Sequence, residues 1–138
     1  RLNRAAGENI IPSITKSSDV IVEVLPEFKN KVASSSMTVP VPDGSTVDLT
    51  IDLEKETSIE EINGLIEDMS KNILKDIIGI TYDPIVSSDV VRSTLSGLVD
   101  GLATMGINNK KIKLIIWFDN GWGYAARIID TLKKLDME

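Results

Sequence analysis

Cysteine and histidine are both absent from the 138 residues. No disulfide can form, the usual zinc ligands are missing, and neither thiolate nor imidazole catalysis is open to these residues. Chemistry done by this chain alone would rest on carboxylates, lysines or hydroxyls. A basic excess is lacking as well: 15 Lys and Arg stand against 21 Asp and Glu, a net charge of −6. Nucleic-acid binding needs concentrated cations to displace counterions, so no nucleic-acid partner is expected. The densest basic group, Lys110, Lys111 and Lys113, reads as a solvated sheet edge. Apolar runs such as LIIWF, Leu114 to Phe118, fall far short of the ~18 residues of a membrane span, so no membrane partner is expected. The opening RLNRAAGEN has neither the apolar stretch of a signal peptide nor an initiator Met. That leads to the expectation of a fragment of a longer, cytoplasmic polypeptide. Aromatic residues are few, two each of Trp, Tyr and Phe.

What is present suits one globular domain over residues 1–138, with 42% apolar and 26% charged residues. Residues 12–25, PSITKSSDVIVEVL, read as a loop entering a short helix capped by Ser17 or Ser18. Val20, Ile21, Val24 and Leu25 fall on one face, and Pro26 follows. A strand near Met37 to Val41, a turn at Pro42-Asp43-Gly44-Ser45 and a strand in TVDLTIDLEK come next. The last of these alternates Val47, Leu49, Ile51 and Leu53 against Asp48, Thr50, Asp52 and Glu54, the pattern of a half-buried antiparallel strand. Ser58 to Glu61 has capping-box spacing before a stripe of Ile59, Ile62, Leu65, Ile66 and Met69. Short strands are expected around Ile77 to Ile80, Ile85 to Ser88 and Thr94 to Val99, and then in LATMGI. Asn108-Asn109-Lys110 reads as a hairpin turn into IKLIIWF. A last helix is expected from about Gly123 to Leu135, with Ala125, Ile128, Ile129, Leu132 and Leu135 inward. The succession predicts an α+β fold, a mostly antiparallel sheet with helices packed on one face.

Three constellations could carry chemistry. At FDNGWGY, Asn120 and Tyr124 follow a buried strand, where a side chain can reach a cleft from a rigid base. The competing reading is that Asn120-Gly121 only makes a tight turn, since both residues tolerate positive φ. At Ser13 to Ser18, hydroxyls, free N–H groups at a helix start and Lys16 could bind an anion, or Ser17 and Ser18 are ordinary caps. Asp48, Asp52 and Glu54 could hold a hard cation; the commoner role of such a set is the wet face of a sheet, and no metal site is expected.

Three stretches in order resemble phosphorylating glyceraldehyde-3-phosphate dehydrogenases. RAAGENIIPSITKSS is similar to the family segment leading to a phosphate-binding helix start, and TVPVPDGSTVDLTIDLEKE to the strand pair that follows. WFDNGWGYAARIID resembles the family's Asp-Asn-Glu-Trp-Gly-Tyr corner and C-terminal helix. The resemblance covers essentially the whole chain and implies a catalytic (C-terminal) domain without its N-terminal NAD-binding domain. In the family the nucleophilic Cys, in a Ser-Cys-Thr-Thr context, and the His base lie upstream of the point where this chain begins. The family reaction forms a hemithioacetal, transfers hydride to NAD and releases the thioester to inorganic phosphate, and it needs that thiolate. The resemblance further implies that Asn120 hydrogen-bonds the nicotinamide carboxamide, that Tyr124 packs beside the ring, and that Thr15 binds phosphate through its hydroxyl. Gly121 stands where Glu is usual. Lys16 stands for Gly, and Thr38 and Leu2 for two Arg near the anion sites.

The expectation is therefore a catalytic-domain fragment of an NAD- or NADP-dependent oxidoreductase of sugar-phosphate metabolism. It has no catalytic residues of its own and is inactive alone. Glyceraldehyde 3-phosphate or a relative, inorganic phosphate and the missing N-terminal domain are its implied partners. Self-association into a homo-oligomer is expected, because apolar surface around the last helix would otherwise be bare. Leu2, Lys16 and Thr38 motivate the alternative, a non-catalytic assembly or regulatory module built on the same fold.

Overall fold

The computed structural model describes residues 3–136 and divides the chain at Pro42 into two compact units. In the first unit, β1 (Ile11–Ser13) pairs antiparallel with β2 (Ser36–Thr38), with Pro12 opposite Met37. Between them lies α1 (Ser17–Val24), followed by a single 3₁₀ turn at Pro26–Phe28, where Pro26 sets the backbone angle for a new turn. Residues near Pro12, expected as loop, thus supply a strand. β2 is shorter than the Met37 to Val41 expected, and it pairs with β1 instead of with the next strand. None of the α1 residues is buried.

The second unit holds a five-stranded sheet in the order β3-β7-β5-β4, with β6 also on β7. These strands are β3 (Ser45–Asp52), β4 (Ile78–Thr81), β5 (Gly97–Asp100), β6 (Met105–Ile107) and β7 (Lys111–Phe118). Only β4 and β5 run parallel; every other pair is antiparallel. This is an α+β fold. The period-two pattern of β3 sets the register: Leu49 lies opposite Leu114 and Ile51 opposite Ile112, so both strands turn the same apolar set to one face. Ile112, 1% exposed, sits in a core with Val99 and Leu114. α2 (Ile59–Lys71) covers that face with Ile62 and Ile66. Its capping box forms as read, with the Glu61 N–H donating to Ser58 Oγ at 3.1 Å and the Ser58 N–H to Glu61 Oε2 at 3.0 Å.

Several expectations are corrected. Leu65 is exposed, and its neighbour Asn63 is buried instead, donating to the Gly101 carbonyl and accepting from Thr104 Oγ1 at 2.8 Å. A polar residue inside an apolar stripe has no periodic signature. Ile85 to Ser88 forms no strand; Asp89 Oδ2 accepts the Val86 N–H at 2.8 Å and winds Ser87–Val90 into a 3₁₀ turn. Lys111 and Lys113 lie on the central strand β7, not on an edge. Cross-strand geometry pairs them with Asp52 and Asp48, both at 2.8 Å, which makes that carboxylate face a solvated, ion-paired one.

α3 (Asn120–Leu135) departs most from expectation. It starts three residues earlier than read, and Ile128, Ile129, Leu132 and Leu135 are exposed. The side it buries is that of Gly123, because only a residue without Cβ allows the helix to approach Leu95 this closely. No helix among the described residues is long and apolar enough to cross a membrane.

Candidate functional site

The corner between β7 and α3 is organised by Asp119, only 3% exposed. Its Oδ1 accepts the N–H groups of Gly121 and Trp122, each at 2.8 Å, and its Oδ2 accepts the Arg92 N–H at 2.7 Å. A buried carboxylate is tolerable when its oxygens are satisfied in this way. Asp119 is therefore the N-cap of α3, and the helix begins at Asn120. Neither Asn120 nor Gly121 has positive φ. The tight-turn reading of this dipeptide is overturned, because the cap pulls both residues into the first helical turn.

The Asp119 carboxyl is held below its ordinary value of 3.8, chiefly by the Trp122 backbone N–H, then by that of Arg92, against burial and with Gly121 adding. A depressed folded-state value means that the cap's contribution is complete above 3.8 and is lost as pH falls through the lower value. Hydrogen exchange of the first turn of α3 should therefore be flat from neutral pH to that point and accelerate only below it, once corrected for intrinsic rates.

Arg92 reaches Asp119 from a left-handed backbone, φ 67°. An Arg Cβ is disfavoured there, while the only contact used is its N–H. Arg92→Gly is expected to keep that bond and stabilise the chain by up to about 1 kcal/mol, read as a higher urea midpoint at unchanged slope.

Asn120 and Tyr124, one turn apart, line the same concavity of about 240 Å³ with Ser96, Phe118, Asp119, Gly123 and Arg127. Both are exposed, Tyr124 at 71%. A second concavity of about 300 Å³ continues along the helix past Tyr124 and Arg127 to Leu132. Arg127, which the sequence reading did not single out, anchors the wall between them. Its Nε donates to Asp130 Oδ2 at 2.9 Å, Nη1 to Ser96 Oγ at 3.0 Å and Nη2 to the Asp76 carbonyl at 3.2 Å. The ion pair with Asp130 is 2.7 Å long. Arg127 and Asp130 at i and i+3 were the available signal, but nothing in the sequence marks their backbone and hydroxyl partners.

The candidate anion site lies in the other unit. Thr15 Oγ1 is 2.7 Å from Ser17 Oγ and accepts the Ser17 N–H at 3.2 Å. The Ser18 N–H donates to Ser34 Oγ at 3.1 Å, and those of Asp19 and Val20 to the Lys16 carbonyl. The expected caps Ser17 and Ser18 are thus replaced by Thr15 and Ser34, because Ser17 and Ser18 already lie within the helix. Thr38 is exposed on β2; Leu2 lies outside the described residues.

A mostly antiparallel sheet with a capped strand-to-helix corner beside an open concavity defines an α+β domain. The family profile described as "Glyceraldehyde 3-phosphate dehydrogenase, C-terminal domain" matches residues 1–120, and the chain belongs to that family. Relatives include "Glyceraldehyde-3-phosphate dehydrogenase" of Borreliella burgdorferi, 46% identical over 137 residues, covering 98% of this chain and 41% of the relative. The "Glyceraldehyde-3-phosphate dehydrogenase 2" of Mucor circinelloides f. lusitanicus is 44% identical over 132 residues, 96% of this chain and 39% of its own length. The Geobacillus stearothermophilus protein is 42% identical over 130 residues, 94% and 39% respectively. The chain thus spans about two-fifths of the length of these relatives.

Proposed function

We propose that this chain is the catalytic-domain half of an NAD- or NADP-dependent phosphorylating aldehyde dehydrogenase, acting on glyceraldehyde 3-phosphate or a related sugar phosphate in the cytoplasm. The observation that carries this reading is the shared concavity of Asn120 and Tyr124, in a chain of this family. Its volume, about 240 Å³, is below the ~300–1,000 Å³ of a complete small-molecule site. It suits one end of an extended cofactor, the rest being held by a dinucleotide-binding half. Asn120 offers both an amide donor and an acceptor, the complement of a carboxamide, and Tyr124 an aromatic face beside it. The nicotinamide, when bound, supplies the hydride acceptor; these two side chains orient its ring. Thr15 and Lys16 serve an anionic group of substrate or inorganic phosphate, and the assembled protein is a homo-oligomer. With neither Cys nor His, these residues hold no thiolate and no imidazole base, and the isolated chain is inactive.

The test joins this chain to a dinucleotide-binding half carrying the nucleophilic Cys. Asn120→Ala should raise the KM for the dinucleotide about tenfold, the loss of one or two hydrogen bonds at ~1 kcal/mol each, with the fold intact by circular dichroism. An unchanged KM removes Asn120 from the site.

A second reading, a non-catalytic assembly or regulatory module, is favoured by one observation. The N–H groups of Ser17 and Ser18 are already taken by Thr15 and Ser34, so this helix start is satisfied without an anion. Titration with inorganic phosphate separates the two: perturbed Thr15 and Lys16 resonances support the enzyme, and a silent titration the module.

A further inference from the structure

The chain contains two Asn-Gly dipeptides, Asn63-Gly64 and Asn120-Gly121, and the fold treats them in opposite ways. We infer that Asn120 is a self-modification site that converts to aspartate or isoaspartate through a succinimide, held back by Asp119, while Asn63 is protected. In this reaction the Gly121 backbone nitrogen loses its proton to solvent and attacks Asn120 Cγ. The new C–N bond closes a five-membered ring, and the side-chain nitrogen leaves as ammonia. Water then opens the ring at either carbonyl. The balance is amide plus water to acid plus ammonia, with no oxidant or reductant.

Asn63 lies in mid-helix, 6% exposed, with its amide nitrogen on the Gly101 carbonyl and its oxygen on Thr104. Cyclisation there would require α2 to unwind inside the core. Asn120 is exposed in the first turn of α3, where helices fray at least cost. Two features hold it back. The helical backbone keeps the Gly121 nitrogen away from Asn120 Cγ, and the N–H of that nitrogen is bound to Asp119 Oδ1 at 2.8 Å. Glycine is not demanded by the fold at 121. Its φ is not positive, and a Cβ would meet only Asp119 Oδ1 at 3.5 Å, an ordinary contact. The residue that exposes the nitrogen to this chemistry is thus a choice the architecture leaves free.

The aspartate product is compatible with the helix, since a carboxylate in the first turn suits its dipole, whereas isoaspartate adds a methylene to the main chain and disrupts that turn. Aspartate is a poorer ligand group: it accepts hydrogen bonds but donates none. That consequence rests on the reading of Asn120 as a cofactor contact; the covalent chemistry does not.

The experiment incubates the 138-residue chain in warm neutral buffer and follows both dipeptides by peptide mass spectrometry. Asn120 should convert at least about tenfold faster than Asn63, the ratio that ~1.4 kcal/mol of easier opening would give. Gly121→Ala should slow it about tenfold or more, by shielding the nitrogen and disfavouring the ring. Asp119→Ala should speed it about tenfold. Equal lifetimes at 63 and 120, or no effect of Gly121→Ala, overturn the inference. If Asp119→Ala does not fold, the comparison of Gly121→Ala with the parent chain still decides. Ageing the protein joined to its dinucleotide-binding half keeps the two claims apart: conversion at 120 with unchanged dinucleotide binding defeats the cofactor role and leaves the modification standing.

Discussion

Gly123→Val is expected to lift the first turns of α3 off the chain at Leu95 and Ser96 and to cost about 3 kcal/mol. A Cβ at position 123 would lie 2.7 Å from the Leu95 carbonyl oxygen and 3.5 Å from its carbon. Both are backbone atoms, so no rotamer change can relieve the clash, and the helix itself must move. Gly123 also lines the concavity shared by Asn120 and Tyr124. Stability and site geometry should therefore fail together. Urea denaturation should show a lower midpoint, and hydrogen exchange should show lost protection at residues 121–127 while the amides around Ile112 stay protected. Unchanged protection in α3 would mean that the helix is not seated on residue 95.

Arg127→Met should cost about 2–3 kcal/mol. The methionine retains the apolar stem but leaves Asp130, Ser96 Oγ and the Asp76 carbonyl without the guanidinium. The partners are part-exposed, with side chains 27% and 46% accessible in the Arg127–Asp130 pair, so water compensates part of the loss and the figure stays below that of a buried ion pair. Arg127→Lys should restore less than half, because an ammonium cannot reach a carboxylate, a hydroxyl and a carbonyl through one planar fork. If the anchoring is mainly hydrogen bonding, the Met penalty should fall only slightly in 1 M salt, where ion pairs are screened within ~3 Å. Full rescue by Lys would make the interaction a simple charge pair and remove Arg127 from the positioning of the corner.

The two substitutions act on the same contact from different sides. Gly123 sets how closely α3 approaches, and Arg127 holds it there. Both line the same concavity as Asn120 and Tyr124, and both decide where those two side chains stand. In the joined protein each should raise the dinucleotide KM more than it lowers kcat, since the effect is on binding geometry.

Much of the architecture was legible because local chemistry and global packing agree. The alternation in β3, the capping box of α2 and the Asn108-Asn109 turn each carry their own signal, and each was found where the pattern put it. Asn120 and Tyr124 were singled out from the corner after an apolar strand and from the family resemblance; that they stand one turn apart on α3 follows only from the earlier helix start. The misread elements share a cause. The less exposed side of α3 carries the buried Gly123 and the half-buried Arg127 and Asp130, while its apolar stripe is exposed, so periodicity pointed to the wrong face. Asn120-Gly121 also offered a tight turn, and Asp119 was not singled out; its carboxylate caps α3 through the Gly121 and Trp122 N–H groups, with a third donor, Arg92, from a distant loop.

The residue list alone determined the chemical vocabulary of this chain: no thiol, no imidazole, an acidic surface, an α+β succession and an amide four residues from an aromatic ring. Those properties follow from composition and from interactions within a few residues. The tertiary structure decided what that vocabulary does, by bringing residue 92 to the start of α3, residues 96 and 76 to Arg127 two turns further on, and Ser34 to the donor at the start of α1. Such contacts join residues 16 to 51 apart in the chain, and no local pattern encodes a partner at that distance.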